Sequence, residues 1–307
     1  MKKLCNFGFI LSHVLLAVLV YIILFVPKKL VGLNPTPLLV GIGIVEVLFL
    51  ANVFGKIRRK QSLKGCADII IMVWLFFIAW EIASSVKGNL NPVLFPAPEN
   101  TFQTFVDYRR SLTKHITFSL KLLGRGLFIG VTLAVVLGVV CAWIPRLRGF
   151  TYPIANVMAP IPPIVFAPYL IVLLSNLKAT SLMIVILGVF WPTFMNTFQN
   201  VQGLEKRTID SARMLNLNNA EMIFNILLPA VMPAVLNRFK VTLTTSLLML
   251  NFAEMMGANS GMGYFIINST SYSNYEQTIA GIICIGVMVT ILNKLTTLAQ
   301  KYLLRWK

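Results

Sequence analysis

Acidic residues are scarce in this 307-residue chain: 10 Asp and Glu stand against 27 Lys and Arg, and only 12% of positions carry a charge. A water-facing surface cannot be assembled from so few charges, so most of the surface must face lipid or other apolar groups. Histidine is nearly missing, and His13 and His115 are isolated, with no His–Glu or Cys–His constellation around either. No Ser–His–Asp set, zinc motif or phosphate-binding glycine loop stands in for them, so neither catalysis nor a nucleotide or metal site is expected in this chain. Cys5, Cys66, Cys141 and Cys284 lack paired metal spacing and read as buried free thiols.

What is plentiful is apolar: 57% of the residues are hydrophobic. Eight segments are long and apolar enough to cross a bilayer, which takes about 20 residues per helix. They run Phe7–Val26, Leu38–Phe54, Ala67–Val86, Gly126–Ile144, Ile154–Leu177, Ala179–Val201, Val241–Ala258 and Gln277–Asn293. Backbone in lipid must satisfy its own hydrogen bonds, and the alternation of a porin-type barrel is absent, so the expected fold is all-α, a polytopic transmembrane helix bundle. Lys2 and Lys3 before the first apolar run resemble a signal peptide, but the run is too long and Pro27-Lys28-Lys29 is no small-residue cleavage site. A retained helix is expected there.

The distribution of Lys and Arg predicts orientation. With both termini cytoplasmic, inside segments hold 18 basic residues and outside segments nine; the run Lys56-Ile57-Arg58-Arg59-Lys60 is the clearest cytoplasmic marker. The net charge of +17 therefore needs no nucleic acid, because the charges sit at helix ends.

The polar stretch Gly203–Phe239 interrupts the apolar pattern between the sixth and seventh spans. Thr208 suits an N-cap, with Asp210 and Ser211 in the first turn, where negative charge complements the helix dipole. Asn218 and Glu221 have capping-box spacing, and Pro229 and Pro233 predict a break before the next span. Two short amphipathic helices in a cytoplasmic loop would make a docking surface for a soluble partner.

This loop resembles the "EAA" loop of binding-protein-dependent ABC importer permeases: Glu-Ala-Ala, three residues, Gly, nine residues, Ile-x-Leu-Pro. Asp210-Ser211-Ala212 stands at the Glu-Ala-Ala positions, Asn216 at the Gly, and Ile226-Leu227-Leu228-Pro229 at the closing motif. Asp for Glu, Ser for Ala and Asn for Gly are departures, although Asn tolerates the left-handed conformation a Gly supplies. The resemblance runs from about Leu94 to Lys307. Leu94-Phe95-Pro96-Ala97-Pro98 is similar to the Leu-Pro-Ser-Pro element before an amphipathic outer segment, and Pro160-Ile161-Pro162-Pro163 to the Pro-Ile-Pro-Pro signature of aliphatic sulfonate, taurine and nitrate permeases. The run from Ala253-Glu254-Met255 to Gly261-Met262-Gly263-Tyr264 resembles their Ala-Glu-Met-x-Gly-Ala-x-x-Gly-x-Gly-Tyr.

The resemblance implies the type I ABC importer permease fold with two extra N-terminal helices, residues 1–64, ahead of a permease core, 65–307, whose coupling loop is 203–239. It implies a half-channel paired with a second permease chain, usually identical, two ABC ATPase subunits that carry ATP and Mg, and an external substrate-binding protein. It places ATPase coupling on Asp210, Ser211, Ala212, Arg213, Asn216, Leu217, Ile226 and Pro229. From the residues themselves, Pro160, Pro162 and Pro163 break the fifth span and are expected near the pathway, together with Asn196 and with Asn251 and Glu254, which share a helical face. A structural hydrogen bond is the other reading of Glu254; Glu46 and Glu81 read as packing or interface residues. The first two helices are expected at the periphery, packing independently through the polar linker. An ATP-independent secondary transporter or a non-transporting membrane scaffold are the alternatives, although no paired repeat with midplane ligands is found.

Overall fold

Helix is the structure that satisfies a backbone in lipid from within one segment, and the computed structural model is helical in every regular element it describes. It describes residues 7–29, 33–58, 64–86, 91–214 and 217–303. The elements are α1 (Phe7–Phe25), α2 (Thr36–Arg58), α3 (Lys64–Glu81) ending in a π turn (Ile82–Val86), α4 (Pro98–Asp107), α5 (Arg109–Trp143), α6 (Pro145–Met158), a 3₁₀ turn (Pro163–Phe166) leading to α7 (Ala167–Leu174), α8 (Leu177–Gln202), α9 (Lys206–Met214), α10 (Asn219–Glu221), a π turn (Met222–Leu227), α11 (Leu228–Met255), α12 (Met262–Ser271) and α13 (Tyr275–Leu303). Among the described residues seven helices are long and apolar enough to span a membrane, and a bent pair makes up to eight.

The expected break in the fifth span is present: Pro145–Met158 and Pro163–Leu174 meet at 88°. Pro160, Pro162 and Pro163 lack the N–H groups that would carry the helix through, and Pro162 is extended at φ −63°, ψ 124°. The seventh span differs from expectation. The break expected at Pro229 and Pro233 is absent, and α10, the π turn and α11 run as one helix from Asn219 to Met255. A π turn shifts the hydrogen-bond register by one residue, and here it directly precedes the first proline, which falls in the opening turn of α11. The second short helix expected in the loop is thus the foot of a helix long enough to span a membrane. Its predicted capping box is present: Glu221 N–H donates to Asn218 Oδ1 at 2.8 Å, and Asn218 N–H to Glu221 Oε2 at 2.9 Å. α9 starts at Lys206, so Thr208 lies inside it rather than at its cap.

The chain folds as two compact units, Met1–Leu112 with Asn268–Ile282, and Thr113–Ile267 with Ile283–Lys307. In the second, Ala134, Val139, Phe194, Phe198, Leu227 and Val231 are buried in one cluster. In the first, α1 packs on α3, and α2 on α3 and α4. Leu19, Ile42, Phe49, Ile70 and Trp74 share a core, so the two N-terminal helices do not form an independent pair. Gly41 of α2 lies under the Phe102 ring of α4, where a Cβ would collide with the ring.

Below this core is a buried charge cluster. Lys28 pairs with Glu81 at 2.7 Å and also with Glu99, in the first turn of α4; both carboxylates are fully buried. Burial lowers the Lys28 pKa, but hydrogen bonds and the charges of Glu81 and Glu99 raise it by more, leaving it above the ordinary lysine value. Because folding raises this pKa, the stabilisation is complete below the unfolded lysine value of about 10.4 and is lost only as the pH climbs through the folded one. At neutral pH, Lys28→Met is expected to strand two buried carboxylates and to destabilise the protein by about 3–5 kcal/mol. Adding Glu81→Gln and Glu99→Gln to it should recover most of the loss in thermal unfolding in detergent. An unchanged melting temperature for the single variant would show that the cluster holds nothing together.

Candidate functional site

Three helical elements converge on a cavity of about 450 Å³ within the second unit. The break between α6 and α7 contributes Pro160, Pro162 and Pro163, α8 contributes Thr193 and Asn196, and α11 contributes Arg238, Thr242, Thr245 and Met249. The predicted Pro160, Pro162, Pro163 and Asn196 are therefore brought together from positions more than thirty residues apart. The break fits this placement, since irregular backbone at membrane depth is stable only where it lines a cavity or is covered by protein. Arg238, Thr242 and Thr245 were not foreseen. Their spacing with Met249, four, three and four residues, is one face of a helix, and it is the signal that could have found them.

Asn251 and Glu254 do not line this cavity. Glu254, at the end of α11, is fully buried, and its carboxylate is consumed by a knot with α5 and the turn before α12. Ser119 Oγ lies 2.7 and 2.9 Å from the two carboxylate oxygens and donates to them, and Gly263 N–H donates to Oε2 at 2.9 Å. Met262 N–H donates in turn to Ser119 Oγ at 2.9 Å. Gly261 N–H donates to His115 Nδ1 at 3.1 Å, which requires the tautomer with its proton on Nε2. Gly261 sits at φ +119°, and a Cβ there would land on the Glu254 carboxylate. Gly261 thus serves a turn wrapped on an acid, and Glu254 fastens helices together rather than lining this cavity.

The residues expected to couple to an ATPase fall on α9 and on the segment that follows it. α9 joins α8 to the long helix that begins at Asn219, and both of those helices wall the cavity. Asp210 and Ser211 are exposed, and Arg213 continues the helix. Ala212 is buried in the same cluster as Met222, Ile223 and Leu227, which fixes α9 to the foot of the long helix. Leu217 and Ile226 are half-buried and Pro229 is exposed; Asn216 lies outside the described residues. Met214, which sequence reasoning passed over, is 89% exposed. An apolar side chain so bare on a polar loop suits a protein contact.

Two substitutions separate the fastening from the cavity. Glu254→Gln turns an NH₂ group toward donors that need an acceptor, at a cost of about 1–3 kcal/mol; a lower melting temperature with unchanged uptake per assembled complex is expected. Gly261→Ala should prevent stable assembly, whereas Gly286→Ala, whose Cβ meets nothing within 4 Å, should be tolerated. Size-exclusion profiles and thermal unfolding of the purified variants measure both, and normal stability of Gly261→Ala would refute the knot.

Comparison with known proteins agrees with this architecture. The chain is 24% identical over 255 residues to the aliphatic sulfonates transport permease SsuC of Bacillus subtilis, covering 82% of this chain and 92% of that protein. It is 22% identical to the taurine transport system permease TauC of Escherichia coli, over 81% of this chain and 91% of TauC. It is also 22% identical to the nitrate import permease NrtB of Synechococcus elongatus, over 77% of this chain and 89% of NrtB. Among solved structures the fold is similar to the MetNI methionine ABC transporter in inward-facing conformations, with a TM-score of 0.51 and 18% identity, covering 66% of this chain and 97% of that one. An amino acid ABC transporter solved with histidines gives a TM-score of 0.50 at 18% identity, over 65% and 97% of the two chains. These structures establish the type I ABC importer permease fold. The family model for the inner membrane component of binding-protein-dependent transport systems matches residues 134–307, more than half of the sequence, and the chain belongs to that family, the multi-pass permeases of ABC importers that work with an ATPase and a substrate-binding protein.

Proposed function

We infer that this chain forms the transmembrane pathway for a small solute of the sulfonate, taurine or nitrate kind, delivered by an external binding protein and driven by separate ATPase subunits. The observation that carries the reading is the mechanical continuity of the second unit. α8 and the Asn219–Met255 helix both wall a solute-sized cavity, and the exposed α9 bridges their ends. A partner that moves α9 pulls on two cavity walls at once, because buried Ala212 transmits the displacement to the foot of the long helix. The named relatives support the solute class, being permeases for aliphatic sulfonates, taurine and nitrate.

In this reading two identical permease chains form the channel and two ATPase subunits dock on α9, with Asp210, Ser211, Arg213, Asn216 and Leu217 at the contact and Ala212, Ile226 and Pro229 shaping its base. ATP and Mg bind on the partner ATPase, not on this chain, which acts as a transport subunit without enzymatic activity of its own. Both termini face the cytoplasm, in keeping with 18 of the 27 basic residues falling on that side. The first two helices lie at the edge of the complex, outside the solute path.

Coupling and topology can be tested together. Ser211→Cys is expected to cross-link to a cysteine in the docking cleft of the ATPase, with the yield changing between nucleotide-free and ATP-bound complexes. Labelling of the same cysteine by an impermeant thiol reagent added only from outside would overturn the orientation, and with it the docking role of α9.

A further inference from the structure

The cavity carries one charge and no countercharge. Among the residues that line it, Arg238 alone has a charged side chain. None of the ion pairs among the described residues involves it. The second unit holds four acidic residues. Glu205, Asp210 and Glu221 sit on or beside α9 and α10, and Glu254 is committed to its knot, so none lines the cavity.

The remaining polar groups add hydrogen-bond donors. Asn196 is 8% exposed, and its Oδ1 accepts from Asn200 Nδ2 at 3.2 Å, which leaves its own amide hydrogens for the cavity. Thr193 is 6% exposed, and its Oγ1 is buried without a hydrogen-bond partner. A buried hydroxyl left unpaired costs free energy that an occupant of the cavity can recover. Thr245 already donates its hydroxyl to the carbonyls of Val241 and Thr242, so it serves as wall. A guanidinium fork, an amide N–H and a free hydroxyl, set among Pro160, Pro162 and Met249, form a donor-rich site with an apolar boundary.

We propose that this cavity is an oxyanion site in which Arg238 selects the charge of the transported solute, assisted by Asn196 and Thr193. The planar guanidinium of Arg238, exposed at the cavity, pairs two oxygens of a sulfonate, nitrate or carboxylate at once. The same charge opposes passage of cations. This rests on the pathway reading above and names the solute class the pathway accepts. An anionic lipid headgroup shares the chemistry, and the test separates the two.

Thr245 is exposed to the cavity. With the four native cysteines replaced, Thr245→Cys in the assembled complex is reacted with a negatively and a positively charged methanethiosulfonate, each rate normalised to the reagent's reaction with a free thiol. The anionic reagent is expected to react faster, and Arg238→Gln to lower the anion-to-cation ratio about tenfold or more, with Arg238→Lys in between. In vesicles of phosphatidylcholine alone, soluble ethanesulfonate or nitrate should slow the labelling where chloride at equal ionic strength does not. A ratio indifferent to Arg238→Gln, or no protection by either oxyanion, overturns the proposal; protection lost when anionic lipid is present assigns the site to headgroups and also overturns it. If Thr245→Cys fails to assemble, Thr242→Cys, half-buried on the same wall, takes the same reagents. Failure of the unmodified complex to move any solute on ATP addition strikes the pathway reading instead, and is told apart because the thiol ratio does not depend on transport.

Discussion

A peptide group facing hydrocarbon has no water to fall back on, and leaving it unpaired costs several kcal/mol. Wherever this chain departs from an uninterrupted helix inside the membrane, other parts of the protein must therefore lie against the departure. The proline-rich turn between α6 and α7 illustrates the consequence. Three prolines within four residues remove the N–H groups that a continuous helix would need, the chain bends by 88°, and the bend rests against α8 and α11 where they enclose a cavity. The irregular backbone thus lies where other helices cover it and a cavity opens beside it. The π turn ahead of Pro229 answers the same demand in another way: shifting the hydrogen-bond register keeps a 37-residue helix intact through two prolines.

Charge is handled under a related constraint. Acids at membrane depth persist when donors surround them. Glu254 receives a serine hydroxyl and a backbone amide, and Glu81 and Glu99 share Lys28. Each of these clusters holds together elements distant in sequence: α11 with α5 and the start of α12, or the segment after α1 with α3 and α4. Arg238 is placed differently. It has no carboxylate partner among the described ion pairs and lines a cavity that holds no acidic residue, so its charge is available to whatever enters.

The eight apolar runs and the all-helical class were legible in the sequence, because the transfer of apolar side chains to lipid and the self-pairing of the helical backbone are local properties read one segment at a time. The capping box at Asn218 was legible for the same reason, as its two hydrogen bonds join residues three apart. The motifs gave the family, and the prolines gave the break in the fifth span. The break expected at Pro229 did not form, since a register shift in the preceding turn depends on how α9 and the foot of the long helix pack, which no local rule contains.

Which polar residues meet was decided by tertiary structure. Glu254 and Asn251 share a helical face with each other, and that periodicity says nothing about what the face meets; the opposing surface turned out to be Ser119, 135 positions away, and a turn held by Gly261. Arg238 stands four residues before Thr242 in plain view, yet its meaning depends on Thr193 and Asn196 of another helix and on the absence of any acid across the space between them. The sequence by itself determined where the chain crosses lipid and to which family it belongs, because those depend on composition and spacing along one segment. Which acid became a fastening and which cation faced a cavity was left to the packing of helices far apart in the chain, because a side chain's role inside a membrane is set by what lies opposite it.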